Sequence, residues 1–168
     1  MSLIVNLFGG PGTGKSTTAA GVFNLLKNEG ESSELALEYA KEKVWEETTA
    51  VLRDQIYVFA KQLHRIKRLE NQVDIVITDS PLLLSLIYGK KYSTQFKNLV
   101  ISEHESLNNL NIFLKREKEY VGKGRLQTEE EAVKIDTEIR TILVPYKTFE
   151  IVANPDAPQK ILELIRNV

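Results

Sequence analysis

The chain has 168 residues, 42% of them hydrophobic, which suits one domain with a real core and leaves no room for a second full domain. Its 22 Lys and Arg are balanced by 23 Asp and Glu, so no global basic field draws it to nucleic acid or an anionic membrane. It has no cysteine, which excludes disulfides, thiolate metal sites and thiol nucleophiles, and its two histidines cannot form a metal centre alone. The longest apolar stretch, Leu82 to Tyr88, is too short to span a bilayer, and the amino terminus lacks a signal-peptide pattern. The expectation is a cytoplasmic protein with no membrane partner.

Leu3 to Phe8 is an apolar run ended by glycines, as expected of a strand buried on both faces of a parallel sheet. A helix follows from Lys15 to Asn28, with Ala19, Val22, Phe23 and Leu26 on one stripe and Gly30 beyond its end. Ser33 to Leu37 reads as a second strand, closed by Glu38. Leu52 to Leu69 has helical spacing at Leu52, Ile56, Phe59, Leu63 and Ile66. Val73 to Thr78 is the third strand, closed by Asp79-Ser80-Pro81, and helices are expected over Leu82 to Tyr88 and Gln95 to Glu105.

Asn111 to Leu114 reads as a fourth strand. The segment Lys115 to Gln127 concentrates basic residues around Gly122 and Gly124 and is expected to form a mobile, lid-like loop. Thr128 and Glu131 form a capping-box pattern opening a helix with Ala132, Ile135, Ile139 and Ile142 on one face. Thr148 to Ala153 is the fifth strand, and Asp156 and Gln159 are positioned to cap a final helix bearing Ile161, Leu162 and Ile165. Strands alternating with helices throughout imply a three-layer α/β/α domain around a five-stranded parallel sheet, spanning residues 1–168.

The chemistry concentrates in Gly9-Gly10-Pro11-Gly12-Thr13-Gly14-Lys15-Ser16, which has the full Walker A spacing between a strand and a helix. Glycines let successive backbone N–H groups wrap a polyphosphate, and the helix directs its positive dipole end at the same anion. Gly9 to Thr17 are therefore the expected nucleotide-binding residues, for ATP with Mg²⁺. Lys15 is expected at the β- and γ-phosphates and Ser16 at the metal. A carboxylate closing a neighbouring strand, Asp79, is the second expected metal ligand.

Glu38 closes strand 2 at the carboxyl edge of the sheet, where a base could take a proton from an attacking hydroxyl. Whether Glu38 or Asp79 is that base is left open. Tyr39, Lys41, Trp45 and Tyr57 are candidates for an acceptor pocket, with Gln55 and Gln62 near enough to read a base edge. Arg116 and Arg125 are the guanidinium groups expected to meet developing phosphoryl charge. His64 and His104 are read as surface residues.

Taken together, these residues resemble the small P-loop kinases of the nucleoside and nucleotide kinase group. The pattern of Gly9 to Ser16, Glu38-Tyr39-Ala40-Lys41, Asp79-Ser80, Tyr120 and Gly124-Arg125 is similar to that of ribosylnicotinamide kinase domains and phage-encoded kinases. The latter include kinases proposed to phosphorylate 5-hydroxymethyluracil in DNA. The resemblance implies that the glutamate after strand 2 serves the acceptor, the aspartate after strand 3 the metal, and the late arginine a lid. Two departures bear on the acceptor: Ser80-Pro81 stands where deoxynucleoside kinases commonly have an arginine, and Lys41 where many ribosylnicotinamide kinases have one. The leading expectation is a kinase acting on a nucleoside- or nucleotide-type hydroxyl. A kinase acting on DNA with a modified base and an ATPase switch with a protein partner are the alternatives; oligomeric state is left open.

Overall fold

The computed structural model describes residues 1–117 and 128–168. Five parallel strands form one sheet in the order β2-β3-β1-β4-β5, with β1 Leu3–Phe8 at the centre. The others are β2 Ser33–Ala36, β3 Ile75–Thr78, β4 Asn108–Lys115 and β5 Thr148–Val152. Side chains alternate across β1 and build two cores. Ile4 and Phe8 pack with Phe59, Val76, Val100 and Ile139 on one face. Val5 and Leu7 pack with Ala19, Val22, Leu26 and Ile161 on the other. Burial on both faces is why the strand is apolar at every position but Asn6.

Helix α1 Lys15–Asn28 and α7 Ala157–Arg166 cover the second face. The first face is covered by α3 Gln55–Lys67, α4 Ser85–Tyr88, α5 Thr94–Glu105 and α6 Glu129–Leu143. Among the described residues no helix is long and apolar enough to cross a membrane. The expected three-layer α/β/α architecture with a five-stranded parallel sheet is the one found.

Several boundaries differ, each for a local reason. A short helix, α2 Tyr39–Trp45, follows β2 and a 3-10 turn spans Thr49–Arg53, so the helix expected from Leu52 starts at Gln55. Asp54 sets that start, its side chain accepting the Tyr57 N–H. Strand β4 begins three residues early, at Asn108, although that stretch is rich in asparagine. There the Asn6 amide donates to Asn109 Oδ1 at 2.8 Å and Asn111 Oδ1 at 3.1 Å, so the polar side chains satisfy one another across paired strands. The Thr128–Glu131 capping box forms as expected. The Asp156 side chain makes no capping bond among the described residues, and Pro158 in the first turn of α7 removes a donor instead.

Candidate active site

Phe8 ends the central strand, and the chain turns through Gly9 and Gly10 into α1. Gly12 and Gly14 adopt φ of +80° and +91°, left-handed backbone that favours glycine. Thr13 is buried and stitches the loop by donating its hydroxyl to the Gly10 carbonyl at 2.9 Å. Helix α1 has no acidic residue in its first turn and no side-chain cap, so its leading N–H groups face an anion site. The Lys15 ammonium curls over the loop, donating to the Gly9 carbonyl at 2.7 Å and the Gly10 carbonyl at 3.1 Å. Burial pulls its pKa below the ordinary lysine value, while the nearby Glu38, Asp79 and Asp136 carboxylates oppose that shift. An incoming phosphate would meet a largely desolvated cation.

Asp79, only 2% exposed, is fully engaged. Its Oδ2 accepts the Ser16 hydroxyl at 2.6 Å and its Oδ1 accepts the Glu38 N–H at 2.9 Å. It does not cap the turn that follows Pro81; its bonds run to the P-loop and to the end of strand β2. Magnesium in phosphoryl-transfer sites takes one or two carboxylates and fills its remaining positions with phosphate and water. The converged hydroxyl and carboxylate of Ser16 and Asp79 fit that requirement. Among the described residues there is no cluster of three or more His, Cys, Asp and Glu that would form a protein-only cage.

Glu38 stands where α2 begins, yet its carboxylate makes no capping bond and no hydrogen bond among the described residues. Burial raises its pKa and Asp79 adds to the rise, while Lys15 and Lys41 pull it down. A half-buried carboxylate of raised basicity, uncommitted and beside the phosphate loop, can accept a proton.

A cleft of about 460 Å³ runs from Gly12, Lys15 and Ser16 past Glu38 and Asp79 to Lys41, Val44, Trp45, Leu52 and Tyr88. Its size is that of a small-molecule site. Lys41 reaches back to Ser16, its Nζ 3.3 Å from the hydroxyl. Trp45 is 66% exposed at the mouth, a large ring left in water. Tyr88, from α4, had no assigned role in the sequence; burial and the carboxylates of Glu38, Asp136 and Glu138 hold its hydroxyl above the ordinary tyrosine range.

The other expected acceptor residues separate. Tyr39 is buried and meets Tyr57 edge to face at 5.9 Å, and neither ring lines the cleft. Gln62 touches the cleft but is buried, accepting the Tyr39 N–H at 3.1 Å and donating towards Ala36 and Thr78. It holds β2, β3 and α2 together rather than reading a base. Gln55 lines the cleft with its amide nitrogen tied to the Leu52 carbonyl at 2.5 Å.

Arg116, just past β4, is mostly buried and pairs with Asp136 of α6 at 3.1 Å. Arg125 and most of the expected lid, residues 118–127, lie outside the described residues. Asp136 carries no motif and was missed. It also accepts the Gly10 N–H at 2.5 Å, and a Cβ on Gly10 would lie 2.6 Å from the Ala132 carbonyl. Gly10, expected among the phosphate-binding residues, thus also makes room for α6. His104, expected at the surface, is 1% exposed, and desolvation lowers its pKa to about 4. Its α5 neighbours Phe96 and Val100 are buried at the same four-residue spacing, a signal its flanking glutamates obscured. His64 is exposed as expected.

A main-chain anion nest at the head of α1, closed by one ammonium and a hydroxyl–carboxylate pair, puts the chain in the class of α/β P-loop domains. It belongs to the AAA domain family, whose match spans residues 4–156. Comparison with curated protein sequences gives no match. Among solved structures, a NadR protein in complex with NR superposes with a TM-score of 0.72 at 19% identity, over 96% of this chain and 51% of that one. The chain therefore spans about half the length of that protein. Deoxyadenosine kinase from M. mycoides, with dCMP and a flexible dCDP bound, superposes with a TM-score of 0.53, also at 19% identity, over 98% of this chain and 97% of that one. Both share the fold.

Proposed function

We propose that this domain is an ATP-dependent kinase that transfers the γ-phosphate to a hydroxyl of a nucleoside- or nucleotide-type acceptor. The observation that carries the reading is Glu38: a carboxylate free of capping duty, in one cleft with Lys15 and linked through its own N–H to the Asp79–Ser16 pair. An ATPase switch also needs a group to orient its water, but no pocket for an acceptor beside that group.

In the proposed reaction the acceptor oxygen bonds to the γ-phosphorus as the bond to the β,γ-bridging oxygen breaks. ADP leaves, and the acceptor's proton passes to Glu38. Of the two carboxylates, Glu38 is the better base, because both Asp79 oxygens already accept hydrogen bonds. Ser16 and Asp79 would hold Mg²⁺, which when bound neutralises phosphate charge. Lys15 and the P-loop amides bind and orient the triphosphate, and Lys41 adds a second cation beside Ser16. Arg116 and Arg125 would supply further positive charge. Catalysis is then positioning and electrostatics.

A small acceptor is favoured over DNA by the charge arrangement. Of Arg65, Lys67, Arg68, Lys90 and Lys91, the cations that could line a nucleic-acid groove, three are paired: Arg65 is bidentate to Glu42 at 2.8 and 2.5 Å. Lys67 lies between Glu70 and Glu103, and Lys90 is paired with Glu138 at 2.6 Å. The exposed Trp45 ring offers a stacking surface for a base.

The test is to incubate the protein with γ-labelled ATP, magnesium, a nucleoside and nucleotide panel, and hydroxymethylated DNA. The expected result is label on one class of small acceptor. Label on DNA alone, or hydrolysis with no labelled acceptor, overturns the reading.

A further inference from the structure

The most unusual junction in the described chain is a single carboxylate on α6 that touches two other parts of the site. Asp136 sits on α6 one turn beyond Ala132, on the face turned toward the P-loop. Its Oδ1 accepts the Gly10 N–H at 2.5 Å, and its Oδ2 accepts from Arg116 at 3.1 Å. Both side chains of the ion pair are largely buried, at 18% and 14% exposure. A surface ion pair contributes little and tolerates loss of a partner, whereas a buried one leaves an uncompensated charge when broken.

Both groups are also within electrostatic reach of Lys15, Asp136 favouring its charged form and Arg116 opposing it. Gly10 leaves no space for a side chain because the α6 backbone abuts it. The second residue of the P-loop is therefore held by α6 as much as by its own turn. The guanidinium that leaves β4 is aimed by the same carboxylate.

We propose that Asp136 is a positioning residue of the phosphoryl-transfer site, fixing the entrance of the P-loop and the orientation of Arg116 from helix α6. The assignment rests on the kinase reading for its kinetic consequences, and on nucleotide binding alone for its structural ones.

Three single substitutions and one double variant separate the two bonds. Asp136→Asn keeps an oxygen for the Gly10 N–H and loses the charge facing Arg116. It is expected to lower kcat by about tenfold or more, with KM for MgATP within about threefold of wild type. Arg116→Lys should do the same, and the double variant should be no slower than the poorer single, since both break one interaction. Asp136→Ala also removes the Gly10 acceptor and should weaken MgATP binding by about tenfold in calorimetry. If it does not fold, Asp136→Leu takes its place.

Wild-type kcat in Asp136→Asn overturns the proposal, as do losses that multiply in the double variant; a lowered Tm with unchanged kinetics would mark a purely structural residue. Should the wild type transfer phosphate to no acceptor, the kinase reading alone fails. Asp136 is then judged on MgATP affinity: weakened in Asp136→Ala or its Leu substitute supports the assignment, and unchanged overturns it.

Discussion

The two ends of the cleft are built differently. The phosphate end comes from one continuous stretch, Gly9 to Ser16, whose working parts are mostly main-chain groups fixed by positive-φ glycines and by the first turn of α1. The proposed acceptor end is assembled from side chains on separate elements: Glu38 and Lys41 around the start of α2, Trp45 at its end, Leu52 on the 3-10 turn and Tyr88 on α4. Backbone geometry can be shared by any chain with the right glycines, while side chains from scattered elements can change one by one. The phosphate end together with Glu38 should therefore set the reaction, and the rest of the acceptor end its substrate.

Substitutions at the two ends should divide the kinetic constants accordingly. Lys15→Ala should have the largest effect, lowering the transfer rate by on the order of a thousandfold while circular dichroism and Tm report an intact fold. Turnover near wild type would remove Lys15 from the mechanism. Glu38→Gln should follow, with kcat lowered by about a hundredfold and MgATP affinity retained. Its pH profile sharpens the assignment. Burial raises the Glu38 pKa, so as a base it must lose its proton, and log kcat should fall with acidification through an apparent pKa above the ordinary carboxylate value of 4.5. That limb should vanish in Glu38→Gln; a limb that survives the substitution assigns the base elsewhere.

Trp45→Ala should act at one end only, raising KM for the acceptor by about three- to tenfold and leaving KM for MgATP unchanged. Equal changes in both would erase the division between the ends. The smallest effect on activity is expected at His104, away from both, where the readout is stability. Its folded pKa of about 4 lies below the ordinary 6.5, so the unfolded chain binds the proton more readily. Stability should then fall as pH drops from about 6.5 to 4, by on the order of 3 kcal/mol, with turnover at neutral pH unaffected. Denaturant melts of wild type and His104→Phe should differ in this window, and parallel curves would refute the buried histidine as the cause.

What the sequence revealed follows the same division. The P-loop was legible because its function resides in contiguous residues with fixed spacing, and Asp79 because an apolar strand ended in an acid. Strand β4 read short because its asparagines look like loop residues until Asn6 is placed beside them by strand pairing. Gln62 looked like a base reader because its helix was seen without the β2 and α2 backbone that it satisfies. Asp136 had no local signal at all: helical periodicity puts it on the face of Ala132, but only tertiary packing brings Gly10 and Arg116 to it.

The central claim is that backbone amides, Lys15 and the Ser16–Asp79 pair form a binding site for a magnesium–nucleotide complex. Calorimetric titration of the purified protein with ATP, with and without magnesium, tests it most directly. The account predicts one site per chain, tightened by magnesium and lost or weakened by more than about tenfold in Lys15→Ala. No detectable binding of any magnesium nucleotide to the wild type would contradict it.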